Sequence, residues 1–287
     1  MSPFSTAIKC IAPLLLLLCG CSALTPRSDA NGASAAPPLG VAITAGQLTS
    51  ATGCALAYRT YRPTSPVDNG DWVILAPGFL RTERRLRDLA VTLATTGVQV
   101  ATLDFCNQKP WAGRHVQNAS DMQALARHLG AQRVVYAGFS AGGLAALLAA
   151  RGDPRAIGVV TLDLVDAQGL GVRAAAGLHK PLLALAGEPT NCNAGGNGRI
   201  VYAIAPRARV QHIAGAGHCD FESPTDTLCA LVCQDPDGAR RSHRRQVIVD
   251  ASAAVSALLD GAAAAWPAPG YADRSRPPPR GKEPSSF

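Results

Sequence analysis

Short apolar runs alternate with amphipathic segments along the central part of the chain. The apolar runs lack the polar alternation of a half-exposed strand, which indicates strands buried on both faces. The predicted strands are Ala55–Tyr61, Trp72–Leu75, Val98–Phe105, Arg133–Phe139, Ile157–Leu162, Pro181–Ala186 and Arg209–Ile213. The predicted helices are Arg84–Thr96, Val116–Leu129, Ala141–Ala150 and Val247–Leu259. This alternation predicts an α/β fold with a mostly parallel central sheet and helices on both faces.

The two ends of the chain lack this alternation. Residues 1–20 contain one early cation, Lys9, and an apolar run that is shorter than the roughly 20 residues a membrane-spanning helix needs, so we interpret them as a secretory leader. Residues 21–40 are rich in proline and small residues, which predicts a flexible tether. Residues 263–287 are also rich in proline and are predicted to be a disordered tail. The folded body is therefore predicted over residues 41–262, as one domain.

The leader ends in a motif that resembles a bacterial lipobox, Leu18-Cys19-Gly20-Cys21. In that motif the chain is cleaved before the last cysteine, which is then lipidated. The resemblance implies that Cys21 anchors the protein to a membrane, and Ser22 behind it favours the outer membrane. Because Cys19 is unusual at a small-residue position, ordinary cleavage near Ala23, giving a periplasmic or secreted protein, stays open as the alternative.

Composition and charge narrow the possible functions. A chain of 287 residues with 47% hydrophobic and 16% charged residues is not disordered. Its net charge of +7 is concentrated in the runs Arg81–Arg87 and Arg240–Arg245, and a basic patch can bind nucleic acid. The apolar stripe of Leu86, Leu89 and Leu93 makes the first run the solvated face of a helix. Since export also removes access to nucleic acid, no nucleic-acid partner is predicted.

The most informative motif lies between a predicted strand and a predicted helix. Gly138-Phe139-Ser140-Ala141-Gly142 matches the pattern Gly-x-Ser-x-Gly. The serine of this pattern lies in a sharp turn, so the residues two before and two after it must be very small. The turn exposes the Ser140 hydroxyl at a helix start, where backbone N–H groups face developing negative charge. We predict that Ser140 is a nucleophile; a serine that only forms the turn is the alternative.

The sequence contains six histidines that could act as the base for this serine. Only His218 lies in a glycine-flanked loop directly after the last predicted strand, at the edge of the sheet where ligands bind in such folds. We predict that His212 packs inside a strand. The other four are predicted at the surface: His115, His128, His179 and His243. A metal site of His218 with Cys219 and Asp220 lacks the paired spacing that zinc sites favour, and no metal or organic cofactor is predicted.

A third residue must accept the other imidazole N–H and stabilise the imidazolium ion. The chain order serine, acid, histidine restricts it to residues 141–217. Asp163 is our first choice because it ends a predicted strand, and Asp166 and Glu188 are the reserves.

Backbone N–H groups are expected to bind the oxyanion of the reaction. One is that of Ala141, directly after the serine. The second is expected from the turn after the strand Trp72–Leu75, which reads Ala76-Pro77-Gly78-Phe79-Leu80. Gly78 permits a tight turn there, so the Phe79 N–H can join that of Ala141.

These motifs resemble the α/β-hydrolase superfamily over about residues 40–262. Within it the chain looks most like the branch that contains plant chlorophyllases, platelet-activating-factor acetylhydrolases and bacterial polyester hydrolases. Pro77-Gly78-Phe79 matches the turn after the third core strand, Leu162-Asp163 matches the acid of the first two groups, and Gly215–His218 matches their histidine loop. Thr190 stands where the polyester hydrolases have their aspartate. The resemblance implies an α/β-hydrolase fold with about eight strands.

The resemblance also implies a serine hydrolase acting on carboxylic esters. Its substrate would be a small-molecule or lipid-like ester, and it would act through an acyl-enzyme on Ser140. Two alternatives remain open: a non-catalytic envelope lipoprotein that uses the fold for binding, and an acyltransferase. The loop from Gly187 to Asn197 departs from the family pattern, and the sequence gives it no role.

The nine cysteines divide into two in the leader, the lipidation candidate Cys21 and six others. An even number in an exported protein predicts disulfides. The second and fourth strands are neighbours in the fold that the resemblance implies, so Cys54 is expected to pair with Cys106. The other four are then expected to pair near the histidine loop: Cys192, Cys219, Cys229 and Cys233. The spacing of the last two on a helix disfavours a bond between them.

Overall fold

The computed structural model describes residues 40–65, 69–106, 113–234 and 241–267. The predicted leader, Cys21 and nearly all of the predicted tether lie outside the described residues, as does most of the predicted tail. Within the described part, no helix is long and apolar enough to cross a membrane.

Eight strands form one central sheet. In chain order they are β1 (Val41–Thr49), β2 (Ala55–Pro63), β3 (Asp71–Ala76), β4 (Val100–Leu103), β5 (Arg133–Phe139), β6 (Ala156–Leu162), β7 (Leu182–Ala186) and β8 (Ala208–His212). Their order across the sheet is β1-β2-β4-β3-β5-β6-β7-β8. β2 is antiparallel to both β1 and β4, and the other neighbours are parallel. The predicted mostly parallel sheet of about eight strands is confirmed.

β1 was not predicted from the sequence. It is an edge strand that pairs only with β2, and apart from Val41 its residues are exposed or half-exposed. Such a strand has no continuous apolar run, so it can be recognised only from its pairing with β2.

Seven helices and three short 3₁₀ turns surround the sheet in the described chain. The helices are α1 (Arg87–Thr95), α2 (His115–His128), α3 (Ala141–Gly152), α4 (Leu170–Ala176), α5 (Gly198–Ile204), α6 (Thr227–Cys233) and α7 (Arg241–Leu259). The four predicted helices are present with shifted ends. α4 and α5 were not predicted, and only the spacing of Cys229 and Cys233 indicated α6, because seven residues are too few to establish a helical period.

The core has two layers, one on each face of the sheet. Successive side chains of β3 alternate between them: Trp72 and Ile74 pack with α2, α3, α4 and α5, whereas Val73 and Leu75 pack with α1 and α7. Because both faces are covered, every residue of β3 is buried. This explains the continuous apolar run in the sequence.

The predicted boundary of the tail at residue 263 is too early. Residues Ala263–Ala265 form a 3₁₀ turn, and Ala263 and Trp266 are buried in the core layer of α1 and α7. The Trp266 carbonyl also accepts a hydrogen bond from the Arg209 guanidinium at 3.2 Å. The proline-rich composition of this segment predicted disorder, but its tryptophan buries apolar area against the core. The folded body therefore extends at least to residue 267.

Asp121 on α2 predicts a pH-dependent effect on stability. It is fully buried, Gln117 donates a hydrogen bond to Oδ1 at 2.8 Å, and Oδ2 has no partner within the described chain. Burial raises the pKa of Asp121, and the Gln117 hydrogen bond offsets only part of the rise. A carboxyl whose pKa is higher in the folded state destabilises the fold as pH rises from its unfolded pKa through its folded pKa.

We therefore expect Asp121→Asn to stabilise the protein at pH 7 by about 1 kcal/mol, a rise in Tm of roughly 2–4 °C. The gain should shrink towards pH 4, where wild-type Asp121 is increasingly protonated in both states. Thermal unfolding followed by circular dichroism at the two pH values measures it. Asp260→Asn, at an exposed position, serves as the matched control. An equal gain at both pH values would contradict the assignment.

Candidate active site

Ser140 lies in a strained turn between β5 and α3. Its φ and ψ are 56° and −123°, an unfavourable conformation for a side-chain-bearing residue. A Cβ atom added to Gly138 would lie 2.3 Å from the Gly142 carbonyl oxygen, and one added to Gly142 would lie 2.3 Å from that of Pro77. The glycine spacing of the motif is therefore a steric requirement of this turn.

His218 bridges Ser140 and Asp163. It begins the 3₁₀ turn His218–Phe221 after β8, and its ring lies against that of Phe139, with 4.6 Å between centroids. His218 Nε2 lies 3.0 Å from Ser140 Oγ, and Nδ1 lies 2.6 Å from Asp163 Oδ2. The three residues are 4%, 6% and 4% exposed, respectively. They form one buried hydrogen-bonded chain of the kind that activates a serine hydroxyl.

Asp163 is held from two neighbouring turns. It follows β6, and its backbone N–H donates to the Leu185 carbonyl at 2.8 Å. Its Oδ1 accepts from the Gly187 N–H at 3.1 Å, and Oδ2 accepts from the Asn193 amide at 3.0 Å. These bonds fix the carboxylate while leaving Oδ2 directed to the histidine.

The two reserve acids bond elsewhere. Asp166 Oδ1 accepts from the Gly171 N–H at 2.6 Å, in the first turn of α4. Glu188 Oε1 accepts from the Gly215 N–H at 3.0 Å and lies 3.5 Å from His212 Nε2. Both carboxylates therefore stabilise loops, and the geometry favours Asp163 as the partner of His218.

Asn193 was missed in the sequence and gives the unexplained loop a role. It is fully buried, and its amide nitrogen donates both to Asp163 and, at 2.7 Å, to the Glu188 carbonyl. Its amide oxygen accepts from the N–H groups of Thr190 at 2.7 Å and Gly196 at 2.8 Å. The loop thus wraps around the Asn193 amide, which positions Asp163. No local sequence pattern indicates the contact between these two residues.

We expect Asn193→Ala to lower kcat about 10- to 100-fold in hydrolysis of a p-nitrophenyl ester, with KM within about threefold of wild type. The variant removes the amide that donates a hydrogen bond to Asp163 and that holds the loop together through its other hydrogen bonds. It removes no group from the substrate site. Steady-state kinetics give the two parameters. Asn191→Ala, at an exposed position of the same loop, should be unaffected. A rise in KM at unchanged kcat would contradict a positioning role.

The predicted oxyanion residues lie side by side. A Cβ atom added to Gly78 would lie 2.9 Å from the Phe139 ring and 3.2 Å from Ser140 Cβ, so the turn after β3 passes directly against the serine. Phe79 and Ala141 line the same small cavity. Ala141 is the first residue of α3, where N–H groups have no acceptor inside the helix.

Part of the first basic run is not a solvated face, contrary to the prediction. The Arg81 guanidinium donates to both oxygens of buried Glu222, and both Arg81 and Arg85 bond Asp226. Burial alone would lower the pKa of Arg81, but the hydrogen bond and charge of Glu222 outweigh it and raise the pKa. These pairs connect the chain after Phe79 to the segment after His218.

The second basic run also contributes to the site. His243 Nδ1 lies 3.1 Å from Oδ2 of buried Asp220, and Arg244 Nη1 lies 3.8 Å from Oδ1. Asp220 also accepts from the Gly217 N–H at 3.1 Å, which fixes the residue before His218.

Two predicted histidine environments were wrong. His115 is buried rather than at the surface, and His243 is half-buried through its bond to Asp220. His212 lies in a strand, as predicted, at the end of β8, where it is half-buried. His128 and His179 are exposed, as predicted.

Three disulfides join the six predicted cysteines. Cys54 pairs with Cys106, as expected. The other bonds are Cys192–Cys233 and Cys219–Cys229. They connect α6 to the residue beside Asn193 and to the residue beside His218, so two bonds flank the site.

Fold and site together define the class: the chain has the α/β-hydrolase fold, with a serine, a histidine and an aspartate hydrogen-bonded at the carboxyl edge of its sheet. Among solved structures it is similar to the crystal structure of a predicted CIB-like hydrolase from Thermoplasma acidophilum. The TM-score is 0.54 at 16% sequence identity, over 74% of this chain and 99% of that one. No family model and no curated protein matches the chain. The branch indicated by the motifs therefore stays a prediction.

Proposed function

We propose that the protein is a serine hydrolase that cleaves carboxylic esters through an acyl-enzyme on Ser140. The observation that carries the proposal is the buried chain of hydrogen bonds from Ser140 through His218 to Asp163. A serine that only formed the turn would need neither a histidine at 3.0 Å nor a carboxylate behind it.

In the first half-reaction Ser140 Oγ attacks the ester carbonyl carbon while His218 Nε2 takes its proton. The carbonyl oxygen becomes an oxyanion, which the N–H groups of Phe79 and Ala141 bind. When the intermediate collapses, the bond to the alcohol oxygen breaks. His218 returns the proton to that oxygen, the alcohol leaves, and the acyl group stays on Ser140.

In the second half-reaction water replaces the alcohol. His218 takes a proton from the water, whose oxygen attacks the acyl carbon, and the same N–H groups bind the new oxyanion. Collapse returns the proton to Ser140 Oγ and releases the acid. Asp163 holds the imidazole orientation throughout and stabilises the imidazolium ion in each half-reaction.

We also propose that the protein acts outside the cytoplasm, anchored through a lipid on Cys21. The disulfides Cys54–Cys106, Cys192–Cys233 and Cys219–Cys229 support an oxidising compartment. Metabolic labelling with a fatty-acid analogue, compared between wild type and Cys21→Ser, tests the anchor.

A fluorophosphonate probe tests the proposed chemistry. Its phosphorus accepts the activated serine oxygen and releases fluoride, so only a serine with a working base reacts rapidly. We expect the folded wild type to be labelled, with the mass increase on the peptide that contains Ser140. A folded wild type that stays unlabelled would instead indicate a binding protein with this fold.

A further inference from the structure

Exposed apolar side chains gather beside the candidate active site, and the reaction above gives these side chains no role. Half of the ten strongly exposed large hydrophobic residues of the described chain lie in two short segments. They are Phe79 and Leu80, in the turn after β3, and Leu228, Leu231 and Val232, on α6. We call these five residues the α6 surface. Exposed apolar patches on proteins of this kind mark sites that bind a partner or a membrane.

α6 presents an apolar outer face that its own packing does not require. Leu228, Leu231 and Val232 share one face by their spacing, and they are 62%, 76% and 63% exposed. The opposite side is buried through Cys229 and Cys233, which both form disulfides. A surface helix normally turns polar residues outward. Because the disulfides already fix this helix, its outward leucines need another explanation.

An ion pair joins the two segments of the α6 surface. Arg81 directly follows Leu80, and its guanidinium donates to Asp226 at 3.1 Å. Asp226 is the N-cap of α6, two residues before Leu228. A disulfide also bonds α6 to the residue after His218. The α6 surface is therefore fixed between the predicted oxyanion turn and the histidine turn.

Leu80 is held outward in an unfavourable backbone conformation. Its φ is 56°, in the left-handed region that residues other than glycine and asparagine seldom adopt. Its side chain is 55% exposed, so little packing offsets this strain. Strained residues persist mainly where function uses them. A leucine at this position is explained if its side chain binds a partner.

The chemistry of the α6 surface fits a lipid better than a protein. A protein interface normally contains about one hydrogen bond per 100–200 Å². α6 has no charged side chain, and apart from its cysteines Thr227 is its single polar residue. The adjoining guanidinium of Arg81 is already paired with Glu222 and Asp226. Apolar area without free charge is what the interface of a lipid bilayer accepts.

The proposed anchor on Cys21 keeps the α6 surface within reach of a membrane. Residues 22–40 join that cysteine to the folded body, and a chain of this length spans at most about 65 Å. A folded body of this size is roughly 45 Å across. The anchor therefore allows any face of the body to meet the bilayer, and the α6 surface is the face at the active site that gains from leaving water.

Resting on the proposed function and the proposed anchor, we infer that the α6 surface docks on the lipid bilayer. Leu228, Leu231 and Val232 enter the interface, and α6 lies along it because seven residues are too few to span a bilayer. Docking places Ser140 beside esters dissolved in the membrane. The substrate class is therefore a lipid-like ester that reaches the serine from the bilayer.

Binding to phosphatidylcholine vesicles tests the docking. The chain from residue 22 is used, because it lacks the predicted leader and the lipidation candidate Cys21. Phosphatidylcholine has no net charge, whereas the +7 charge of the protein would attract any anionic vesicle. We expect wild type to sediment with the vesicles and the double variant Leu228→Ser/Leu231→Ser to bind about 10- to 100-fold more weakly. Val249→Ser, at an exposed apolar position on α7, should bind like wild type.

Two esters separate docking from chemistry in the same proteins. The double variant should hydrolyse p-nitrophenyl butanoate in solution within about threefold of wild type, since the change leaves the site intact. It should hydrolyse p-nitrophenyl palmitate held in the vesicles about tenfold more slowly, or less, because it spends less time on the bilayer. Circular dichroism checks that each variant is folded.

The outcomes distinguish this inference from the proposed function. A wild type that does not bind the vesicles overturns the inference whether or not it hydrolyses esters, and this result needs no variant. Equal binding by a folded double variant also overturns it. If wild type is instead a dimer that the double variant dissociates, the α6 surface joins two copies and the inference is wrong. Vesicle binding without hydrolysis of either ester contradicts the proposed function alone.

Discussion

Ser140→Ala is expected to reduce kcat for a p-nitrophenyl ester by about 10⁴- to 10⁶-fold, to the rate supported by binding and the oxyanion donors alone. The variant removes the only atom that can form the acyl-enzyme. His218 and Asp163 remain hydrogen-bonded but have no proton to transfer from a nucleophile. Steady-state assays of released p-nitrophenol measure the residual rate. Labelling by the fluorophosphonate probe should be lost in the same variant.

A matched control separates chemistry from folding in that experiment. Ser256→Ala makes the same change at a half-exposed position on α7, on the opposite face of the sheet from α3. It should retain wild-type turnover, and both variants should show wild-type circular dichroism. Substantial turnover by a folded Ser140→Ala would mean that another group is the nucleophile.

Asp163→Asn is expected to lower kcat by about 10⁴-fold. The amide is nearly isosteric, so the turn after β6 is retained, but an asparagine cannot stabilise the imidazolium ion. It also presents a donor where His218 Nδ1–H needs an acceptor, which favours the wrong tautomer. Turnover of the same p-nitrophenyl ester between pH 6 and 9 measures the loss.

The reserve acids supply the controls for Asp163. Glu188→Gln keeps an oxygen that can accept from the Gly215 N–H, and Asp166→Asn keeps one for the Gly171 N–H. Both variants should remain within about threefold of wild type. If Glu188→Gln alone abolished turnover, the later acid would be the partner of His218 and the assignment of Asp163 would be wrong.

The nucleophile and its partners could be predicted because each depends on a local requirement. Gly138 lies against Gly142 within the same turn, Gly142 lies against Pro77, and β6, which places Asp163, is buried along nearly its whole length. His218 was predicted from its glycine-flanked loop, since β8 before it is a largely exposed edge strand. Local patterns of this kind are visible in one sequence. The same reasoning gave the parallel core of the sheet.

The parts that escaped prediction depend on long-range partners. Arg81 bonds a carboxylate 141 residues further along, and Asn193 bonds one 30 residues before it. A basic run or an asparagine-rich loop has the same local sequence whether or not such a partner exists. β1 likewise becomes recognisable only through its pairing with β2.

The hydrogen bonds of Asn193 also affect how the protein ages. Deamidation converts an asparagine into a carboxylate, and here the new charge would face Asp163 across the present 3.0 Å contact. Two carboxylates that close cannot both stay ionised without a large penalty, so the acid would lose its fixed charge. Full burial and four hydrogen bonds hold this amide away from water. The lifetime of the active protein therefore depends on the integrity of one loop that contains none of the three residues Ser140, His218 and Asp163.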